Sequence, residues 1–552
     1  MDAAAIPACA ADGASPLVDE ARAVFDATVE RAVRHFERGS PGESAVWAQI
    51  AAHFATYRHA GIYASDALEA LLVEIARTLP PIRPAGSRAR PGDSGRRRTL
   101  HVMTRALPVG GHTRAVERWV RSDEASVHAL VATAQTEPLP PWLSRAVRGA
   151  GGFYESLALP PRDLLWRASR LRQVARDWAD VVVLHGHPYD VVPSLAFGVD
   201  GGPPVLLFNH SDATFWLGAR AADVVADMRE TGRRLSLERR GISRSVVLPI
   251  PLVRREAPPR EEARRRLQIP ESATVLLTSG KDFKFVPFGD HDFFALAARI
   301  LARRETAILL AVGLHDVRRW QSAADRRAPG RVRVFGPRAE IADFQAAADV
   351  YLDPMPATSL TAALEVGALG CPVVGFRDPV QPIFSSADDA AFAGLAGHAR
   401  SPAEYERRAD ALIASAELRR SEGSAAAEAI RTVHMSPGWN RALECALDAL
   451  PRRHRVASGG SYGTAGAGDR FLASFESAGD PGFGLSSCVA ASSRYFDTRA
   501  RAALFLEGLR GGEGSLHLPA KSHLPERWLV IGKRFLTTAS SLGRRISHSA
   551  SR

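Results

Sequence analysis

The sequence predicts an α/β protein with two parallel-sheet domains in succession, preceded by a helical module. Three observations carry this. Strand-length apolar runs alternate with helical stretches at 99–104, 127–133, 181–186, 204–208 and 245–250, and again at 274–279, 307–313, 331–335, 349–352 and 372–376. Most of these runs are apolar through their centres, the pattern of strands covered by helices on both faces. The prolines at 249, 251, 258 and 259 separate the two series. At 552 residues the chain exceeds one ordinary domain.

In chain order, residues 16–80 are helical in pattern. Ser65 has the chemistry of an N-cap, and Leu68, Leu72, Ile75 and Leu79 recur at helical spacing behind it. Residues 1–80 are read as a separate helical module suited to interaction. Residues 81–98, rich in Pro and Gly and ending in Arg96–Arg98, read as a linker. The first α/β domain is expected over 99–252 and the second over 253–452. In the second, 290–303 forms a helix with Phe293, Leu296, Ile300 and Leu301 on one face, and helices over 402–450 close it. From 453 to 552 the composition turns to Gly, Ser and Ala and predicts a low-order tail, with one apolar segment near Trp528–Phe535.

The net charge of +11 invites a nucleic-acid reading. The cations are almost all Arg, however, with Lys only at 281, 284, 521 and 533. With heavy Ala and Gly usage, that balance reflects GC-rich codons. No basic stripe interleaved with aromatics is present to stack bases, so nucleic acid is not expected as a partner. A basic face could still meet an anionic membrane surface peripherally, or an acidic acceptor. No apolar stretch is long enough to span a membrane, and the start of the sequence lacks a secretory pattern. Cys9, Cys371, Cys445 and Cys488 have neither metal-ligand spacing nor a disulfide framework. A cytoplasmic location is expected.

Chemistry concentrates at two segments of the second series. In 349–376 a strand ends at Asp353-Pro354, and a helix opens near Thr358–Thr361 and runs to Gly370. Its hydroxyl-rich start offers Ser359, Thr361 and free backbone N–H groups to a diphosphate. Glu365 lies one turn on, within reach of a ribose. Taken alone, the segment reads equally as an N-capped amphipathic helix. In 276–287 a strand ends in a Gly-containing loop that holds Lys281 and Lys284. Lysine where the chain otherwise uses Arg points to a need for a compact ammonium, such as one neutralising a leaving diphosphate.

Lys284-Phe285-Val286-Pro287 resembles the Lys-x-x-Pro of the O-GlcNAc transferase group and related bacterial protein glycosyltransferases. Ser359-Leu360-Thr361-Ala362-Ala363-Leu364-Glu365 is similar to their diphosphate loop and ribose-binding acid. Residues 98–450 thus resemble a GT-B-fold glycosyltransferase, two facing Rossmann-like domains, most closely over 270–380. The resemblance implies that Lys284 and Thr361 contact the diphosphate, that Glu365 binds the ribose, and that the loop carrying Gly336 and Arg338 holds the base. It also implies a nucleotide-sugar donor, UDP-linked, with no metal and no cofactor. The retaining family 4 glycosyltransferases share this domain but carry a second Glu eight residues before the ribose acid. Ala357 stands there in this chain, which leans toward inversion.

In the first series, Gly110-Gly111-His112 follows the first strand and opens a helix, a turn that lets backbone approach a phosphate or the donor sugar. His185-Gly186-His187 and Asn209-His210-Ser211-Asp212 end two further strands on the same sheet edge. An inverting enzyme needs a base for the acceptor hydroxyl. His187, His210 and Asp212 are the candidates. The acceptor, whether protein, glycan or lipid-linked sugar, is expected on this domain. Competing readings are a UDP-GlcNAc 2-epimerase-like enzyme of the same architecture and a non-catalytic scaffold.

Overall fold

A computed structural model describes residues 16–80, 95–160, 162–377, 384–452 and 466–509. The protein is built on two all-parallel sheets. The first has the order β3-β2-β1-β4-β5-β6-β7, with β1 at Arg97–Met103, β2 at Ser126–Ala132, β3 at Gly151–Ser156, β4 at Val181–His185, β5 at Val205–Asn209, β6 at Val224–Asp227 and β7 at Ser245–Val247. The second has the order β10-β9-β8-β11-β12-β13, with β8 at Thr274–Ser279, β9 at Ala307–Val312, β10 at Val332–Phe335, β11 at Val350–Leu352, β12 at Val373–Phe376 and β13 at His398–Ala399. In each sheet the strand order reverses beside the first strand, between β1 and β4 and between β8 and β11. Loops leaving the C-terminal ends of strands at such a reversal diverge and leave a crevice.

Every apolar run named from sequence contains a strand. Three strands lacked such a run. β3 (GGFYES) is a half-exposed edge, β6 has four residues, and β13 has two.

The helical module is not a separate body. Its helices Pro16–Glu37, Pro41–Tyr57 and Asp66–Arg77 share one core with the first sheet, where Phe25, Trp47 and Leu72 pack in the same cluster as Leu100, Val182 and Leu195. Ser65 does cap the third helix, accepting from Leu68 N at 3.3 Å. The buried Glu69 then accepts from the backbone N–H groups of Gly218, Ala219 and Arg220 and ties the module to the loop between β5 and β6.

Two further boundaries shift. Arg97 and Arg98, read as linker, begin β1, and Arg98 pairs with Asp180 at 2.8 Å. The helix Gly438–Asp448, expected to close the second domain, instead returns to the first. There Trp439, Leu443, Ala446 and Leu447 pack against Trp119, Val183 and Phe208. Trp439 Nε1 donates to the Pro249 carbonyl at 2.8 Å.

The low-order tail expected from 453 is ordered over part of its length, with helices at Ala467–Gly479, Leu485–Ser492 and Thr498–Leu509. Asp469 is bonded to His59 at 2.8 Å and Arg239 at 3.0 Å, which ties the first of these helices to the first domain. Phe471 and Phe475 of the same helix pack on Phe288 and Phe384 of the second domain. The segment near Trp528–Phe535 lies outside the described residues.

Candidate functional site

Both sheet reversals open on the same cleft. The loop after β1 leads into the helix Gly111–Ser122, with Gly110 as its N-cap at φ +132°, a conformation L side chains rarely adopt. The loop after β11 leads into the helix Leu360–Gly367. The two helix starts meet. A Cβ on Gly111 would lie 3.2 Å from Thr361 Oγ1, so any side chain here would crowd the hydroxyl. Two helix N-termini thus bring their positive dipole ends together, an arrangement that favours an anion beside them.

Lys284 adds the cation. It sits in the one-turn helix Asp282–Phe285 after β8, and its Nζ donates to the Thr358 carbonyl. Burial lowers its pKa to about 8. Asp353 opposes that shift, and Lys281 and Arg229 add to it. Gly280 makes room beside it, since a Cβ there would lie 2.9 Å from Ser359 Oγ and 3.1 Å from Lys284 Cδ. Asp353, not singled out from sequence, organises the turn. It accepts from Ser359 N at 2.9 Å, Thr358 Oγ1 at 2.5 Å and Ser386 Oγ at 3.0 Å. The sequence signal was an acidic residue at a strand end six positions before the helix cap.

Glu365 occupies the expected helix, one turn from Thr361, but both its oxygens are engaged. Arg118 of the first domain pairs with one, and Gln345 Nε2 donates to the other at 2.9 Å. Arg118 is sealed from solvent, so Glu365 joins the two domains. Gly336 and Arg338 follow β10. The Phe335 carbonyl beside them accepts from Gly313 N at 2.9 Å and Leu314 N at 3.2 Å, and Arg338 is exposed.

On the first domain, His112, His187 and His210 cluster. The His112 and His210 rings are 4.2 Å apart and those of His112 and His187 are 6.2 Å apart. His112 Nε2 donates to the His185 carbonyl at 2.6 Å, and His187 Nδ1 meets Tyr189 Oη at 3.2 Å. Burial lowers the pKa of His112 to about 4 and of His187 to about 3, and it takes His210 well below the usual imidazole value. All three are neutral at pH 7. Asp212 stands apart from the other base candidates. Its carboxylate accepts from Arg229 Nε at 2.7 Å in a buried pair, and Arg229 also reaches the Ser385 carbonyl of the second domain. A carboxylate held this way serves the domain contact. Among the described residues, no group of three or more His, Cys, Asp or Glu is arranged to hold a metal ion, and no helix is long and apolar enough to cross a membrane.

No family model and no curated relative matches the sequence. Solved structures do match. An O-GlcNAc transferase of Thermobaculum terrenum is 18% identical, with 78% of this chain and 84% of that chain covered, at a TM-score of 0.45. HepE of Anabaena, solved with UDP and glucose, is 13% identical over 64% of this chain and 100% of that one, at 0.48. A sucrose-phosphate synthase of Thermosynechococcus elongatus is 13% identical over 64% and 98%, at 0.45. The fold assignment rests on the sheets themselves. Two parallel sheets with their reversals turned toward one cleft are the two-domain GT-B architecture.

Proposed function

We propose that this protein is a glycosyltransferase that moves a sugar from a nucleotide diphosphate donor, UDP-linked, to an acceptor hydroxyl held by the first domain. One observation carries the reading. A half-buried lysine and two adjoining helix N-termini converge on one point between two domains, where a diphosphate would be held by Lys284, Ser359, Thr361 and the turn at Gly111 and His112. Charge building on the leaving diphosphate is met there by fixed donors in a water-poor cleft, where such donors act most strongly. The protein's own cations do this work, so the transfer is proposed to need no metal. Glu365 would exchange Arg118 and Gln345 for ribose hydroxyls, with Gly336 and Arg338 beside the base. His187 and His210 are the candidate bases, and their neutral state at pH 7 leaves a lone pair free for the acceptor proton.

A thermal-shift panel of nucleoside diphosphates and nucleotide sugars tests the donor, because a ligand bound only by the native state raises the midpoint. UDP and a UDP-sugar are expected to raise it. No shift with any nucleotide diphosphate would end the assignment. Release of a new free hexosamine from UDP-GlcNAc without acceptor would reassign the site to epimerisation.

A further inference from the structure

The first domain contains four imidazoles bonded end to end. His210 Nε2 meets His185 Nδ1 at 2.9 Å, His185 Nε2 meets His101 Nδ1 at 3.0 Å, and His101 Nε2 meets His128 Nδ1 at 2.9 Å. The run ends where His128 Nε2 meets the backbone carbonyl of Asp123 at 2.8 Å. It crosses the sheet from the loop after β5, through the end of β4 and the middle of β1, to β2. His101, His128 and His185 are fully buried, while His210 is half-buried and lines a small cavity with His187, Asn209 and Ser211.

The direction of every bond in this run follows from its last member. A neutral imidazole has one N–H and one lone pair, whereas a carbonyl oxygen only accepts. His128 must therefore carry its proton on Nε2, which leaves Nδ1 to accept. His101 must then donate from Nε2 and accept at Nδ1, and the same holds for His185. At the open end His210 donates from Nε2, and its Nδ1, which has no hydrogen bond among the described residues, keeps the lone pair. Only an imidazolium, donating from both nitrogens, would break this order. Burial lowers the pKa of all four rings. The carboxylate nearest the run's inner end, Asp123 Oδ2, is 3.5 Å from His128 Nε2, and its pull does not overcome the burial of that ring. The neutral, ordered run is the state the geometry supports.

We propose that His128, His101 and His185 are positioning residues that fix His210 as the Nε2–H tautomer, so that its Nδ1 is the lone pair that takes the acceptor proton. The catalytic part rests on the sugar-transfer reading, and the tautomer order does not. In the step itself the acceptor oxygen bonds to the anomeric carbon as that carbon's bond to the diphosphate oxygen breaks. The bonding pair leaves with the diphosphate. The hydroxyl proton goes to His210 Nδ1 and from there to solvent. Holding a base in the correct tautomer through the hydrogen bond at its other nitrogen is a general device, and losing it is costly.

Nitrogen-15 NMR of the full-length protein labelled at histidine distinguishes the two neutral tautomers and the imidazolium. Native protein at pH 7 is expected to show Nε2–H at positions 101, 128, 185 and 210. An Nδ1–H ring or an imidazolium at any of the four overturns the proposal. His128→Leu removes the anchoring link, so His210 is expected to populate both tautomers. kcat would then fall at least about twofold, in proportion to the competent fraction, with donor KM unchanged. His128→Gln, whose amide can accept from His101 and donate to the Asp123 carbonyl, is expected to restore both the tautomer and kcat. Should His128→Leu not fold, the native spectrum and His128→Gln still decide the question. Sugar transfer by a protein whose His210 carries its proton on Nδ1 refutes this inference alone. The expected tautomers without transfer from any donor would overturn the catalytic role together with the sugar-transfer reading.

Discussion

Lys284 is costly to keep charged, and that makes its removal informative. Its pKa falls from 10.5 to about 8 because burial removes water from the ammonium faster than Asp353 compensates. The fold therefore holds this cation at a disadvantage of roughly 3 kcal/mol. Lys284→Met keeps the aliphatic stem beside Gly280 but deletes the charge. Two outcomes are expected together. Transfer falls by ~10²–10³, the usual loss when one preorganised stabiliser of a leaving group is removed. The unfolding midpoint at pH 7 stays level or rises, since a desolvated charge has gone. The pH dependence gives a third reading. The unfolded chain keeps this proton up to about pH 10.5 while the folded protein releases it near 8, so wild-type stability carries a component that rises with pH through that window. The variant should lack that component. Denaturant unfolding at a series of pH values, beside transfer assays, measures all three. Transfer within threefold of wild type, or a midpoint lowered by many degrees, would refute the reasoning.

Other predictions follow from the same geometry. The pH profile of kcat/KM is expected to fall above about pH 8 as Lys284 loses its proton, and to show no inflection near 6.5, because burial keeps His112 and His187 neutral down to about 4 and about 3. An acidic limb near 6.5 would count against both histidine placements. Glu365→Ala leaves Arg118 buried without its carboxylate and should destabilise the protein by about 3 kcal/mol, while Glu365→Gln should keep most of the fold and weaken UDP in a binding titration. Glu476 has its pKa raised to about 8 by burial, against its bond from His59 N at 2.7 Å. The folded state thus holds a proton that the unfolded chain releases near 4.5, and wild-type stability should fall as pH rises from about 4.5 to 8. Glu476→Gln should raise the midpoint at pH 7.5, and an unchanged midpoint would show that the carboxyl is solvated.

The fold was legible wherever burial on both faces forces a continuous apolar run, as in 181–186 and 307–313. Edge and very short strands escape that logic, because β3 sets Phe153 and Tyr154 among Gly, Glu and Ser on a half-exposed rim. The proposed donor side of the site was legible as a grouping of residues because its sequence signals are local. Lys284, Ser359, Thr361 and Glu365 each sit in a strand-end loop or the helix it opens. Their partners across the cleft were not, since Arg118 meets Glu365 over 247 positions of chain and nothing around either residue marks the pairing. The histidine run shows the same limit from the other side. His101, His128 and His185 stood inside recognised strand runs, yet only register places His101 between the other two. The helical module looked independent because a Pro- and Gly-rich stretch follows it, but composition reports chain stiffness and not what a helix face touches.

The return of the helix Gly438–Asp448 to the first domain sets an order of assembly. Trp439, with Leu443, Ala446 and Leu447 of its helix, completes a cluster whose remaining buried members lie at 115–248, and Arg58 bonds to carbonyls at 476, 480 and 483. On a ribosome the first sheet emerges more than 190 residues before Trp439. It must wait with part of its core open until the second domain has been made. The N-terminal half is then the last region to reach its final packing, and a chain released early would expose the Trp119 and Phe208 faces that Trp439 normally covers.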